Sequence, residues 1–284
     1  ANYRHRLNRV IDYTLANLGD PITLDKMADI ACFSKYHFAR VFEHECKQSP
    51  LRYLWRMRIE SAARKLVFEP NRAITEIAIE AGFSSNQTFS QLFRNRYGVS
   101  PRTFRKLGEQ NRNEIRNVQQ FQMPSLYNVV IEWRPALRLA YIRCIGHGGD
   151  GISQAYQRLI AWAWKHNIDP ESLPLVGVCP DNPNFTAEQF NIYDFAIPVP
   201  AEITEDETVS IQTIPAGTYA VLRTETPYQQ HLDIWEWVLH EWLLETGEKY
   251  IQNWSYEYFP VWPGRSYKDI SPTELCLRLE DRIG

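Results

Sequence analysis

Two groups of residues in this chain have types and spacings that could do chemistry. The first is polar and basic and falls on the outer face of a short helix. It comprises Lys35, Tyr36, His37 and Arg40, and then Ser85, Asn86, Gln87, Ser90, Gln91 and Arg94. Arginine can donate two parallel hydrogen bonds to guanine, and asparagine or glutamine can engage adenine in the same way. Such faces are equipped to read base edges. For a single face the plainer alternative is a solvated helix surface, and two matched faces weigh against it. The second group is centred on Glu257, which stands between Tyr256 and Tyr258. A carboxylate among aromatic rings attracts a lipophilic cation through Coulomb and cation–π forces. The plainer alternative is a surface strand residue paired to Arg143 or Arg223.

Other motifs fit their chemistry less well. Gly146-His147-Gly148-Gly149-Asp150-Gly151 has the GxGxxG form between a strand and a helix, as a dinucleotide fingerprint requires. Its acidic residue, Glu171, comes before the next strand instead of ending it, so nucleotide binding is not expected. His240-Glu241 opens an HExxH pattern, but Leu244 occupies the second ligand position. Cys179 before Pro180 has no histidine beside it in sequence and reads as an inert thiol. No metal, cofactor or catalytic residue is expected.

The elements that must position these groups follow from periodicity. From Tyr3 to about Leu107 apolar residues recur at helical spacing, broken at Gly19-Asp20-Pro21, Phe33-Ser34, Gln48-Ser49-Pro50, Glu69-Pro70-Asn71, Phe83-Ser84 and Gly98-Val99-Ser100-Pro101. About seven helices result, without a convincing strand. Inside them lies a repeat. Ala28 matches Ala78, Phe33-Ser34 matches Phe83-Ser84, Phe38 matches Phe89, Phe42 matches Phe93, and Ser49-Pro50 matches Ser100-Pro101. The second copy carries one extra residue near its turn. Each copy outlines a helix-turn-helix, with its phenylalanines in the core and its polar face outward. A long helix from about Leu51 to Phe68 joins them, a rod of about 27 Å. It could set two recognition helices near one DNA turn apart, ~34 Å, on an asymmetric double-stranded site of about twenty base pairs. Lys35, Arg94, Arg96 and Lys106 are expected to hold phosphates.

Charge divides in the same place. Residues 1–107 hold 18 Lys+Arg against 10 Asp+Glu, and the remainder holds 13 against 24. A basic front and acidic rear point to a polyanion partner for the front alone.

Gly82-Phe83-Ser84-Ser85-Asn86-Gln87-Thr88-Phe89, with Phe93, Gly98, Ser100-Pro101 and Phe104-Arg105, resembles the signature of AraC/XylS-type regulators. The run Arg58-Ile59-Glu60-Ser61-Ala62-Ala63-Arg64-Lys65-Leu66 resembles their linker helix. The resemblance implies that Tyr36, Ala39 and Arg40 meet bases in the first unit, and Asn86, Gln87, Ser90 and Gln91 in the second. Ala39 stands where the family commonly has a longer polar residue. A DNA-binding domain placed first in the chain is similar to the subgroup that includes the right-origin-binding protein.

Past a polar stretch over residues 108–124, strands alternate with helices. Leu126–Trp133 and Leu137–Ile145 read as strands, Ile152–His166 as a helix, then strands near Leu175–Cys179 and Asn191–Val199. The order recurs with strand Thr218–Thr224, helix Gln229–Thr246 and strands Trp254–Pro260 and Glu274–Glu280. Ala140-Tyr141-Ile142-Arg143 echoes Ala220-Val221-Leu222-Arg223, which implies a pseudo-twofold and a groove between the halves. Tyr256-Glu257-Tyr258-Phe259-Pro260-Val261 and Arg143-Cys144-Ile145-Gly146-His147-Gly148-Gly149 resemble the GyrI-like effector-binding domain. That resemblance implies a small-molecule site with Glu257 facing the ligand. One or two tryptophans, Trp162 and Trp237, are expected to line it beside Tyr256 and Tyr258.

The expected fold class is therefore multidomain. An all-α double helix-turn-helix domain covers residues 1–107, a linker 108–124, and an α+β GyrI-like domain of two tandem strand-helix-strand-strand units 125–284. The expected function is a sequence-specific transcriptional regulator, an activator working with RNA polymerase in a drug or stress response. Its rear domain would bind a small cationic or aromatic effector. Alternatives for that domain are a hydrolase with Glu257 as general base, or a protein-interaction module. No stretch approaches the ~18 apolar residues of a membrane helix, and the chain opens without a signal-like leader. Five scattered cysteines suit reduced thiols. A cytoplasmic protein without a membrane partner is expected.

Overall fold

The computed structural model describes residues 3–108, 128–146, 150–180, 186–251, 254–261 and 270–281. The stretch read as a linker lies, apart from its first residue, outside them. The chain divides into two compact units, Tyr3–Gln122 and Met123–Gly284.

The first unit holds α1 (Arg4–Ala16), α2 (Leu24–Ile30), α3 (Lys35–Cys46), α4 (Pro50–Phe68), α5 (Ile74–Glu80), α6 (Asn86–Tyr97) and α7 (101–108). Hydroxyl side chains start most of these helices by accepting from an otherwise orphaned N–H. Thr23 accepts from Lys26, Ser34 from His37, Ser49 from Arg52, Ser85 from Thr88 and Ser100 from Thr103. The extra residue of the second copy now has a place. Phe33 is followed directly by its cap, Ser34, whereas Ser84 intervenes between Phe83 and Ser85. The repeated phenylalanines, Phe38, Phe42, Phe89 and Phe93, are fully buried.

Both helix-turn-helix turns pass through a left-handed residue, Cys32 at φ 53° and Gly82 at φ 83°. In each, the next residue donates back to the small helix: Phe33 to Ala28 and Phe83 to Ala78. A side chain fits at Cys32, which is exposed. At Gly82 a Cβ would stand 2.5 Å from the Leu18 carbonyl oxygen and 2.6 Å from the Arg58 guanidinium. Only glycine suits that turn.

Helix α4 packs against α2, α3, α5 and α6. It buries charge to do so: Arg58, Glu60 and Arg64 are nearly inaccessible. The Arg58 guanidinium donates to the carbonyls of Leu18, Asp20 and Gly82. Glu60 accepts from Arg56 at 3.0 Å and from Arg96 of α6 at 3.0 Å.

The described strands of the second unit form one eight-stranded sheet. Its strands are β1 (Val129–Arg134), β2 (Leu137–Ile145), β3 (Leu175–Val178), β4 (Ile192–Pro198), β5 (Ser210–Ile214), β6 (Gly217–Pro227), β7 (Tyr256–Phe259) and β8 (Ile270–Arg278). They run in the order β1-β6-β8-β7-β3-β4-β2-β5, and every neighbouring pair is antiparallel. No adjacent parallel pair of the kind a dinucleotide fold uses is present among the described strands. Helix α8 (Asp150–Lys165) packs on β2 and β4, and α9 (His231–Trp237) over β6 and β8. A π turn, Val238–Trp242, carries α9 on into Leu243–Thr246.

Each half is a strand-strand-helix-strand-strand unit, one strand longer than the expected repeat. The leading strand of each crosses to the other half, β1 onto β6 and β5 onto β2. Strand β5 escaped the sequence reading because its five residues, Ser-Ile-Gln-Thr-Ile, offer too brief an alternation. The halves repeat at a constant spacing. Arg143 pairs in register with Asp194, and Arg223, eighty positions on, with Glu274. Gly177 and Glu257, related by the same shift, face each other across β3 and β7, so the pseudo-twofold passes through that pair.

Gly82→Ala is expected to cost ~3 kcal/mol or more, from left-handed strain together with displaced Arg58. Gly98→Ala shares the strain (φ 76°) but meets no atom within 4 Å, and should cost about 1 kcal/mol. Urea titration followed by helical circular dichroism ranks the two, and equal losses would disprove the steric argument.

Candidate functional site

In the first unit the capped N-terminus of α3 sets its outer face. Tyr36 is 79% exposed and Arg40 is exposed, with no hydrogen bond or ion pair to either side chain among the described residues. Lys35 Nζ sits 2.8 Å from Asp25 Oδ2. His37 turns partly inward, edge-on to Phe33 at 4.8 Å and Tyr3 at 5.6 Å. Ala39 is half-buried. Arg6 lies over Phe33 and donates to the Cys32 carbonyl, tying α1 to this turn.

On α6, Asn86, Gln87, Gln91 and Arg94 are exposed and Ser90 is half-buried. Gln87, Thr88, Gln91 and Leu92 line a shallow groove. Thr88 and Leu92 are additions to the residues singled out from sequence. Ser85 proves to be the cap and its hydroxyl is engaged by Thr88, not the first turn of a free face. Arg96 is tied inward to Glu60, while Lys106 on α7 is exposed.

In the second unit Glu257 is 5% exposed. Its Oε2 accepts from the Tyr193 hydroxyl at 2.9 Å and its Oε1 from Trp235 Nε1 at 3.1 Å. Tyr193 reaches it from β4 across β3, because the intervening register partner is Gly177. A Cβ at that position would overlap the Tyr193 hydroxyl. Burial, reinforced by the Glu257 charge, holds the Tyr193 hydroxyl well above its ordinary range, so it remains a protonated donor. His231 is 2% exposed, stacks on Phe259 and meets Tyr228 edge-on. Its Nδ1 lies 3.5 Å from Glu257 Oε1, and neither ring nitrogen has a well-formed hydrogen bond.

The other expected ligand residues are not brought to this carboxylate. Successive strand residues point to opposite faces, so Tyr256 and Tyr258 look away from Glu257. Tyr256 is buried edge-on to Tyr219 at 5.5 Å, and Tyr258 is half-buried on the same face. Trp162 is packed in the core under α8 and donates its indole N–H to Asp206 at 2.7 Å. Trp237 packs partly buried in the cluster beneath α9. Arg143 is bidentate to Asp194, and Arg223 is held by Glu132 and Glu274, so neither pairs with Glu257. The partners Glu257 does have, Tyr193, Trp235 and His231, were not identified from sequence. The constant spacing of eighty would have marked Gly177 as the counterpart of Glu257, and with it the gap that Tyr193 fills.

Tyr193→Phe should cost about 1–3 kcal/mol by depriving a buried carboxylate oxygen of its donor. Gly177→Ala should also destabilise, since its methyl group displaces the same hydroxyl. Chemical denaturation tests both, and a Gly177→Ala protein as stable as the parent would remove Tyr193 from this role.

The family described as GyrI-like small molecule binding domain matches residues 127–280, and the family described as Helix-turn-helix domain matches residues 27–107. The transcriptional regulator ArgR of Pseudomonas aeruginosa is 29% identical over 117 residues, 41% of this chain and 33% of ArgR. The chain thus spans about a third of that relative. The multiple antibiotic resistance protein MarA of Escherichia coli is 30% identical over 109 residues, 38% of this chain and 85% of MarA. Among solved structures, the DNA-binding domain of AdpA in complex with a target DNA is 25% identical, covering 40% of this chain and 96% of that one, at a TM-score of 0.34. The EcmrR C-terminal domain is 17% identical, covering 55% and 99%, at a TM-score of 0.42. The chain belongs to the GyrI-like small molecule binding domain family, carried here on an AraC-type helix-turn-helix transcriptional regulator.

Proposed function

We propose that the regulator is an activator, that α3 and α6 read DNA, and that the rear unit binds a small cationic or aromatic effector through Glu257. The observation that carries the effector reading is a carboxylate buried without Lys or Arg beside it among the described residues. Burying an unpaired charge is costly, and a cationic occupant would offset that cost. Its aromatic neighbours, Tyr228, His231, Trp235 and Phe259, suit a flat or lipophilic body. Catalysis with Glu257 as general base is less well supported, because Tyr193 and Trp235 occupy the oxygens a water would need. We therefore read the protein as a binder, not an enzyme.

For DNA, the reading rests on two capped helices whose outward polar side chains are available. Tyr36, Ala39 and Arg40 on α3, and Asn86, Gln87, Ser90 and Gln91 on α6, would face bases. Lys35, Ser85, His37, Arg94 and Lys106 would flank them toward the backbone. Arg96, held by Glu60, would contribute mainly by fixing α6. The nineteen residues of α4 make a rod of about 28 Å, which suits successive major-groove segments and an asymmetric site of about twenty base pairs. No helix among the described residues is long and apolar enough to cross a membrane. The reading places the protein in the cytoplasm with RNA polymerase as its partner, and the name of MarA suggests a drug or stress response.

The test is selection from a genomic fragment library across a salt series, with the native chain and Arg40→Ala. One asymmetric motif should emerge, and Arg40→Ala should lose ~1–3 kcal/mol and relax one position in it. Uniform loss on every sequence with a shallower salt slope would make Arg40 a phosphate contact instead.

A further inference from the structure

We propose that Glu60 is a positioning residue for DNA recognition. By tying the end of α6 to the turn that closes α3, it makes the protein accept a single base-pair interval between the two segments it reads. The proposal rests on the reading of α3 and α6 as the DNA-contacting helices and adds what fixes one against the other.

Four side chains run without a break from one helix end to the other. Gln48 lies in the turn that follows α3 and is 5% exposed. Its Oε1 accepts from Arg56 Nε at 3.2 Å. Arg56 also donates through Nη1 to Glu60 Oε2 at 3.0 Å. Arg96, in the last turn of α6, donates through Nη2 to Glu60 Oε1, also at 3.0 Å. One carboxylate oxygen therefore leads to the first helix-turn-helix unit and the other to the second. Aromatic rings brace both arginines. Arg56 lies 5.3 Å over Tyr53, which meets Phe42 of α3 edge-on at 5.6 Å. Arg96 lies 5.6 Å over Tyr97, whose ring is 4.8 Å from Phe93 of α6.

Stability alone does not call for charge in this place. Glu60 is wholly buried and the Arg56 side chain is 8% exposed. Desolvating such a pair costs about as much as its attraction returns, and apolar residues of like volume often hold a fold equally well. Apolar packing lacks direction, however. Charged hydrogen bonds to both oxygens of one carboxylate fix distance and angle together. Setting the register between packed elements is the best-attested use of buried charges.

The movement that must be prevented is small. Arg58 holds the turn before α6 through the Gly82 carbonyl, and Glu60 holds the last turn of that helix through Arg96. Removing the second anchor leaves α6 to pivot on the first. Arg94 lies nine residues beyond the cap Ser85, about 13 Å along the axis. A tilt of about 15° at the cap would carry it about 3.5 Å sideways, close to the rise of one base pair. With both ends held, α6 cannot follow a segment displaced by that much.

The test uses duplexes built on the motif that the full native chain selects from a genomic library. The interval between its two segments is kept, lengthened by one base pair or shortened by one. Affinities are referred to active protein, so partial unfolding of a variant cancels from the ratio between duplexes. The native chain should bind the altered intervals at least about thirtyfold more weakly, because a misplaced segment loses its base contacts. Glu60→Gln keeps the volume and removes the charge, and should bring that ratio below about fivefold. Binding to duplexes with one segment scrambled should not change. Arg56→Met combined with Glu60→Leu removes the buried charges together, guards against a fold lost to an unpaired arginine, and should relax the interval equally. A native chain indifferent to the interval, or variants that weaken every duplex alike with the ratio intact, would overturn the role of Glu60 and leave the DNA reading standing. Selection of no motif, or no loss on scrambling either segment, would overturn both.

Discussion

The guanidinium of Arg58 lies inside the helical unit, held by the carbonyls of Leu18, Asp20 and Gly82. A charge removed from water persists only where hydrogen bonds replace the water it lost. Here the replacements come from the loop before α2 and the turn before α6, so satisfying one side chain positions both helix-turn-helix units on α4. Burial disfavours the charged form, which lowers the Arg58 pKa from its ordinary value while leaving it an arginine in effect always protonated. Glu60, equally buried, does the same work farther along α4 by holding Arg96 of α6. The packing of α3 and α6 thus depends on buried charges being met from several directions at once.

The sheet unit meets the same constraint twice by symmetry. Arg143 with Asp194 and Arg223 with Glu274 are one interaction repeated at a spacing of eighty, the first buried and the second half-open. The exchange of β1 and β5 between halves makes one continuous ladder of the two repeats, so neither half can present its sheet alone. On the axis the symmetry fails, with Glu257 opposite Gly177. A carboxylate repeated there would repel its copy. The asymmetry leaves room for the Tyr193 hydroxyl and leaves the charge to neutral donors. A site that differs from the rest of the duplication in this way is where function is to be sought.

Helix α9 approaches that carboxylate with His231 and Trp235 and then passes into a π turn at Val238–Trp242. Single π turns interrupt regular hydrogen bonding and recur at functional sites. The helix presenting both groups to Glu257 is also the one whose regular α pattern is interrupted, whereas α8 is uninterrupted through Lys165.

Local regularities were legible in the residues themselves. Paired phenylalanines and the helix-turn-helix repeat act within a few positions, and the structure has them where the spacing implies. Glu257 was legible as a chemical group, because an acid among tyrosines is rare. Its surroundings were not. Tyr256 and Tyr258 adjoin it in sequence, yet the pleat sends them to the other face. Trp162 is abundant apolar surface with one polar atom, and only the fold shows that atom committed to Asp206. Tyr193, 64 positions away, and Trp235, 22 away, reach Glu257 because β4, β3 and β7 are neighbours and α9, packed over β6 and β8, sends Trp235 to β7. Sequence by itself determined most of the elements, the helix-turn-helix repeat and the presence of a carboxylate, since these rest on periodicity and residue type, while the brief strand β5 escaped it. The tertiary structure alone decided which side chains meet that carboxylate and that Arg96 turns inward, since hydrogen bonds between distant strands and helices depend on register and packing that no local pattern encodes.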